Sequence, residues 1–138
     1  MTIRKAFRWA LLTLWFVFVI FLSCQSGNDS GGLSHWLANN IFHISSETFH
    51  VILRSCAHFS VHFILATLMY AAAYYSYDNP RTFTTVIGLL VAISDELLQF
   101  FIPGRYPEFA DIILNISGIM IGTLICALIT PKKCRPLY

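Results

Sequence analysis

Four long apolar stretches decide what this chain can fold into: Phe7 to Cys24, Ala57 to Tyr77, Thr84 to Ile102 and Ile112 to Thr130. Each approaches the roughly 20 residues an α-helix needs to cross a bilayer's hydrocarbon. The apolar residues run continuously and do not alternate, so they suit helices and not the strands of a membrane barrel. They take up more than half of the 138 residues, which leaves no second folded domain. Only 12% of residues are charged, against about 25% in an ordinary soluble domain. The expected fold is all-α: one domain over residues 1–138, an integral membrane bundle of four transmembrane helices.

Basic residues set the expected orientation, because cytoplasmic flanks carry excess Lys and Arg. With both termini in the cytoplasm, Arg4, Lys5, Arg8, Arg81, Lys132, Lys133 and Arg135 lie inside, and only Arg54 and Arg105 lie outside. Acidic residues divide the other way. Asp29, Glu47, Asp95, Glu96, Glu108 and Asp111 fall on or towards the outer side, and Asp78 falls inside. A multi-pass protein of the plasma membrane is expected. The net charge of +2 belongs to the cytoplasmic flanks and carries no nucleic-acid signal.

Leu33 to Leu53 is too polar to span, but Leu33, Trp36, Leu37, Ile41 and Ile44 recur at helical spacing. An amphipathic helix on the outer surface is expected there, after a flexible polar linker, Gln25 to Gly32. Asp78-Asn79-Pro80-Arg81 predicts a tight cytoplasmic turn. Cys24, Cys56, Cys126 and Cys134 show no paired metal spacing and no disulfide framework. Phe21-Leu22-Ser23-Cys24 offers a second reading of the N-terminus, a signal segment ending at a lipid-modified Cys24. The bulky Leu22 fits that poorly, so a retained first helix is expected.

Polar residues interrupt three of these apolar contexts. Arg54, His58 and His62 recur every four residues, within about 80° of one helix face. Asp95, Glu96 and Gln99 cover about a 100° arc of the third span, and Asp111 and Asn115 share a face of the fourth with Gly118 and Gly122. Ionisable groups in a span are costly and usually face a protein interior or a wet cavity. The coincidence of three such stripes at one leaflet, with Arg105 nearby, predicts a polar pocket open to the outer headgroup region. The bland alternatives are helix glue for the acidic pair and N-terminal capping for Asp111. Gly118 and Gly122 form a GxxxG motif, which lets another helix approach closely. Two histidines four residues apart are compatible with zinc, yet no HExxH arrangement completes a ligand set; no metal and no cofactor is expected. The remaining ligands would have to come from Asp95, Glu96 or Asp111.

At these residues the chain resembles the VanZ-like family. The resemblance rests on Ser94-Asp95-Glu96-Leu97-Leu98-Gln99-Phe100, on Pro103-Gly104-Arg105, and on Asp111 through Asn115 to Gly118 and Gly122. His58 with Phe59, and Ser23 to Ser26, match further. A lysine common near His58 in such proteins is absent, and Arg54 stands in the same region. The resemblance covers about Phe7 to Ile129. It implies a multi-span envelope protein, associated in some members with reduced teicoplanin susceptibility, and it supplies no settled reaction.

Two functions follow as expectations. One is binding or modification of a cell-envelope component at the outer leaflet, which lowers glycopeptide access. The other is an intramembrane enzyme acting on a phospholipid or polyprenyl-linked precursor, with Asp95 or Glu96 as base, His58 or His62 as acid, and Arg54 and Arg105 on a phosphate. The sequence allows membrane lipids, a lipid-linked cell-wall precursor or a glycopeptide, and a second copy of the chain (a homodimer) as partners. Transport needs that second copy, because one polar cluster in 138 residues offers a single half-site.

Overall fold

The computed structural model describes residues 3–25, 40, 47–105 and 108–131. Among the described residues four long helices follow one another: α1 (Ile3–Ser23), α2 (Glu47–Ala73), α3 (Pro80–Gln99) and α4 (Phe109–Ile129). They have 21, 27, 20 and 21 residues, or about 30–40 Å at 1.5 Å per residue. All four are long and apolar enough to cross a membrane. The protein is therefore an all-α, multi-pass membrane bundle, as its apolar runs require.

Contacts between sequence-distant residues define an up-down-up-down arrangement. At one end the Trp9 indole N–H donates to Ser76 Oγ at 3.1 Å, and the Tyr74 hydroxyl donates to the Pro131 carbonyl at 3.0 Å. This tyrosine end joins the start of α1 to the segments beyond α2 and α4. Tyr75 packs under Arg8, whose guanidinium lies 4.2 Å from the ring centroid, and Tyr77 stacks on Phe83. The turn before α3 forms as expected. Asn79 caps the helix by accepting from the Thr82 N–H at 3.2 Å, and Pro80 occupies the first turn, where its missing N–H costs nothing.

Helix α2 is the hub, and it packs most extensively against α4. The cause is small residues. A Cβ built on Gly118 would lie 2.5 Å from the Phe59 carbonyl oxygen, and one on Gly122 would lie 2.9 Å from that of Phe63. The GxxxG motif thus serves contact within the chain. On α3, Gly88 receives the fully buried Ile119 of α4. Leu12, Leu65, Ala66, Met69, Ala72 and Ala92 complete the core with Ile119. Without a hydrophobic drive between helices in lipid, such close packing is a main source of association. Exposed Leu14, Val17, Phe21, Leu90, Leu124 and Leu128 face outward, as suits a lipid surroundings.

Several helix boundaries depart from the expected spans, and two of the shifts bear on the polar residues. Helix α2 begins at Glu47, well before the apolar run that starts at Ala57, so the segment Glu47 to Leu53 is part of α2 and does not belong to a separate surface helix. A helix needs no apolar residues once it leaves hydrocarbon, so hydropathy could not place this start. Residues 33–39 and 41–46 of the expected amphipathic segment lie outside the described residues. Helix α3 ends at Gln99, not Ile102. Beyond it the chain tightens into i→i−3 turns, with Phe100, Phe101 and Ile102 N–H groups donating to Leu97, Leu98 and Gln99. Asp95 and Glu96 therefore sit in about the last turn of α3, where a charge is cheaper than at mid-membrane. Cys24, Cys56 and Cys126 are free thiols.

Candidate functional site

The antiparallel arrangement brings the end of α1, the first half of α2, the end of α3 and the start of α4 to one end of the bundle, opposite the tyrosines. There the polar stripes converge. Asp95, Glu96, Gln99, Asp111, Asn115 and His62 are all buried, with exposures between 0% and 7%. Each is held by a partner on a different helix or one turn away.

Asp95 is the junction. Its Oδ1 accepts a hydrogen bond from the Ser23 hydroxyl of α1. Its Oδ2 accepts from Asn115 Nδ2 of α4 at 3.4 Å and lies 3.9 Å from His62 Nε2 of α2. Glu96 Oε1 accepts from Gln99 Nε2 at 3.0 Å and from Asn115 Nδ2 at 3.5 Å. His58 Nδ1 lies 3.1 Å from Asn115 Oδ1 and 3.9 Å from Glu96 Oε1, and its Nε2 lies 3.6 Å from Asp111 Oδ2. His62 Nδ1 donates to the His58 carbonyl at 3.2 Å, a bond to the preceding turn of its own helix.

Arg54 closes the rim. Its guanidinium bonds Asp111 Oδ2 and, at 3.1 Å, Glu108 Oε1. The Asp111 side chain is 5% exposed, whereas those of Arg54 and Glu108 are 45% and 55% exposed. Capping does not explain Asp111. The N-cap of α4 is Glu108, which makes no side-chain cap bond, and the Asp111 carboxylate turns to Arg54 instead. An arginine on a neighbouring helix satisfies that carboxylate better than backbone amides already near the helix start.

The two arginines at this end of the bundle play different parts. Arg54 pairs with the cluster. Arg105, which follows Gly104 in the left-handed region (φ 75°), makes no side-chain hydrogen bond or ion pair within the described residues. Glycine adopts that backbone conformation freely, and the turn it makes brings Arg105 back towards the cluster. Burial and then the Arg54 charge hold the Arg105 pKa below the ordinary arginine value, against the opposing pull of Asp95, Glu96 and Asp111. It remains a cation at any physiological pH. At the edge of the cluster stands a partly buried guanidinium with no anion in contact among the described residues.

All nine polar residues expected from the sequence, Arg54, His58, His62, Asp95, Glu96, Gln99, Arg105, Asp111 and Asn115, thus lie at one end of the bundle. Eight are in direct polar contact with one another or with a neighbouring backbone; Arg105 is near without contact. Ser23 and Glu108 join them and were not among the expected site residues. A serine closing an apolar run carries little signal, and only the fold reveals that it meets a residue 72 positions away. Chemically the site offers carboxylates and imidazoles within about 4 Å of each other, amide donors, and cationic rims. That suits recognition of a phosphate-bearing headgroup, proton exchange or cation binding.

Neither a curated protein nor a solved structure matches the chain. A family model does. It matches residues 7–130, a range that takes in α1 from Phe7, the other three helices whole and every residue of the polar cluster, so this chain belongs to the VanZ/LLP1 family.

Proposed function

We propose that the protein binds an anionic envelope lipid or a polyprenyl-phosphate-linked cell-wall precursor at the outer leaflet, and that this lowers access of glycopeptides such as teicoplanin to the cell surface. The observation that carries this reading is Arg105: a partly buried cation beside a buried polar cluster, at one end of the bundle, without an anion in contact among the described residues. Charge-assisted hydrogen bonds from guanidinium to phosphate are the strong kind. The teicoplanin part follows from the family resemblance alone. An intramembrane enzyme on the same class of lipid is the second reading, favoured by His58 standing 3.9 Å from Glu96 and 3.6 Å from Asp111.

Purified protein in nanodiscs is expected to bind a polyprenyl phosphate saturably. Arg105→Gln should weaken binding by about tenfold to a hundredfold, the size of a hydrogen bond to a charged group. Added salt should erode the difference between wild type and variant by screening. No binding of any anionic envelope lipid would overturn the proposal. Conversion of the lipid, lost in Glu96→Gln while binding survives, would establish the enzyme instead.

The outer-leaflet assignment depends on both termini being cytoplasmic. In intact cells carrying a cysteine-free chain, a membrane-impermeant thiol reagent should label Asn28→Cys and spare Lys133→Cys. Labelling in the reverse pattern would place the cluster at the inner leaflet.

A further inference from the structure

We propose that His58, Glu96 and Asp111 form a binding site for a divalent first-row transition-metal ion, with zinc the natural probe. The inference uses the same cluster as the proposed function but does not require a headgroup ligand.

One donor atom from each of these residues lies within 4.8 Å of the others. They come from α2, α3 and α4, so the fold and not a local motif assembles them. A tetrahedral zinc site with bonds of about 2.0–2.2 Å has donors about 3.3 Å apart. Side-chain rotation can close that difference without moving helices.

The orientation of His58 follows from its neighbours. Asn115 Nδ2 faces two carboxylate oxygens, Asp95 Oδ2 at 3.4 Å and Glu96 Oε1 at 3.5 Å, which fixes that end of the amide as the donor. The amide oxygen therefore faces His58 Nδ1 at 3.1 Å, and His58 must donate its Nδ1 proton to it. That leaves Nε2 directed to Asp111 Oδ2 at 3.6 Å. In the neutral ring this is a lone pair against a carboxylate oxygen, a repulsive pairing unless a cation stands between them. Metal-bound histidines characteristically donate their other ring N–H to an oxygen acceptor, and Asn115 supplies that acceptor here.

Charge balance points the same way. Asp95, Glu96 and Asp111 are 7%, 1% and 3% exposed, and Arg54 touches only Asp111 among them. Glu96 Oε1 takes its hydrogen bonds from the neutral amides of Gln99 and Asn115, and its buried Oε2 has no hydrogen-bond partner among the described residues. A buried carboxylate without a cation is penalised heavily, and an ion shared by Glu96 and Asp111 would give Glu96 the cation that Arg54 gives to Asp111. Imidazole with two carboxylates suits zinc and its neighbours better than magnesium, which prefers oxygen ligands and retained waters. Three protein ligands leave the fourth position of a tetrahedral ion for a water or a phosphate oxygen.

The test uses the full chain purified in detergent without added lipid, stripped with a chelator and titrated with zinc by calorimetry and metal analysis. One equivalent per chain is expected, with a raised melting temperature. Cobalt in its place should give d–d bands without thiolate charge-transfer bands. His58→Ala and Glu96→Gln should each weaken zinc binding at least tenfold. Glu96→Gln preserves an acceptor for Gln99 and Asn115, so it carries the test if His58→Ala fails to fold. No stoichiometric uptake by wild type would overturn the proposal. Uptake undiminished in both variants would overturn it too, by placing the ion elsewhere. A wild-type chain that binds polyprenyl phosphate but takes up no zinc would reject this inference alone, and one that takes up zinc but binds no polyprenyl phosphate would reject only the headgroup reading.

Discussion

Gly118→Leu should abolish the folded bundle, and Gly118→Ala should already lower its stability by about 1–3 kcal/mol or more. The first atom of any side chain at this position would lie 2.5 Å from the Phe59 carbonyl oxygen and 3.0 Å from the Phe63 backbone nitrogen. Backbone cannot rotate aside, so α4 would have to retreat from α2. The retreat would also part Asn115 from His58 and Asp111 from Arg54, since these pairs bridge the same two helices. Gly122→Ala should be milder, because its nearest contacts are 2.9 Å and 3.0 Å, the second of them to an alanine side chain. Met120→Ala, on a side chain that is 47% exposed, should change little. Thermal unfolding in detergent, read by size-exclusion fluorescence, ranks the four. A Gly118→Ala variant that melts with wild type would mean that the α2–α4 approach is looser than described.

Asp95→Leu should destabilise the bundle by about 2–5 kcal/mol. This carboxylate contacts Ser23, His62 and Asn115, one residue on each of the other three helices. Polar contacts between membrane helices contribute about 0.6–1.7 kcal/mol each, and three are lost together. The remaining partners are 3%, 1% and 0% exposed, so water cannot readily replace the missing acceptor. Asp95→Asn should retain less than half of that damage. Its amide oxygen can still accept from Ser23, but its Nδ2 would face the Nδ2 of Asn115, donor against donor. Melting temperature and membrane yield of both variants check this order. Equal behaviour of Leu, Asn and wild type at this position would show that Asp95 does not join the helices.

Much of this molecule is legible along the chain. Four apolar runs of bilayer length dictate four helices, because a backbone in hydrocarbon must satisfy its own hydrogen bonds. Asn79-Pro80 marks the start of α3 through cap chemistry that is local. Helical periodicity places Arg54, His58 and His62 on one face of α2 and the acidic pair on one face of α3, and GxxxG identifies the close-packing edge of α4.

Pairing was not legible. Periodicity gives the face on which a side chain lies, but not the helix that face will meet or its rotation against it. Arg54 and Arg105 are equivalent candidates in the sequence, and only the packing of α2 on α4 gives Asp111 to Arg54. Ser23 and Asp95 are 72 residues apart, and Arg54 and Asp111 57 apart. No local rule links either pair. Helix ends beyond the hydrocarbon escaped for a related reason: once water is available, apolar content no longer decides whether a helix continues, so the start of α2 moved to Glu47. The sequence by itself determined the number of helices, their membrane character and the polar groups each would carry. Only the tertiary structure decided which of those groups meet, because that depends on where backbones approach most closely, at Gly88, Gly118 and Gly122.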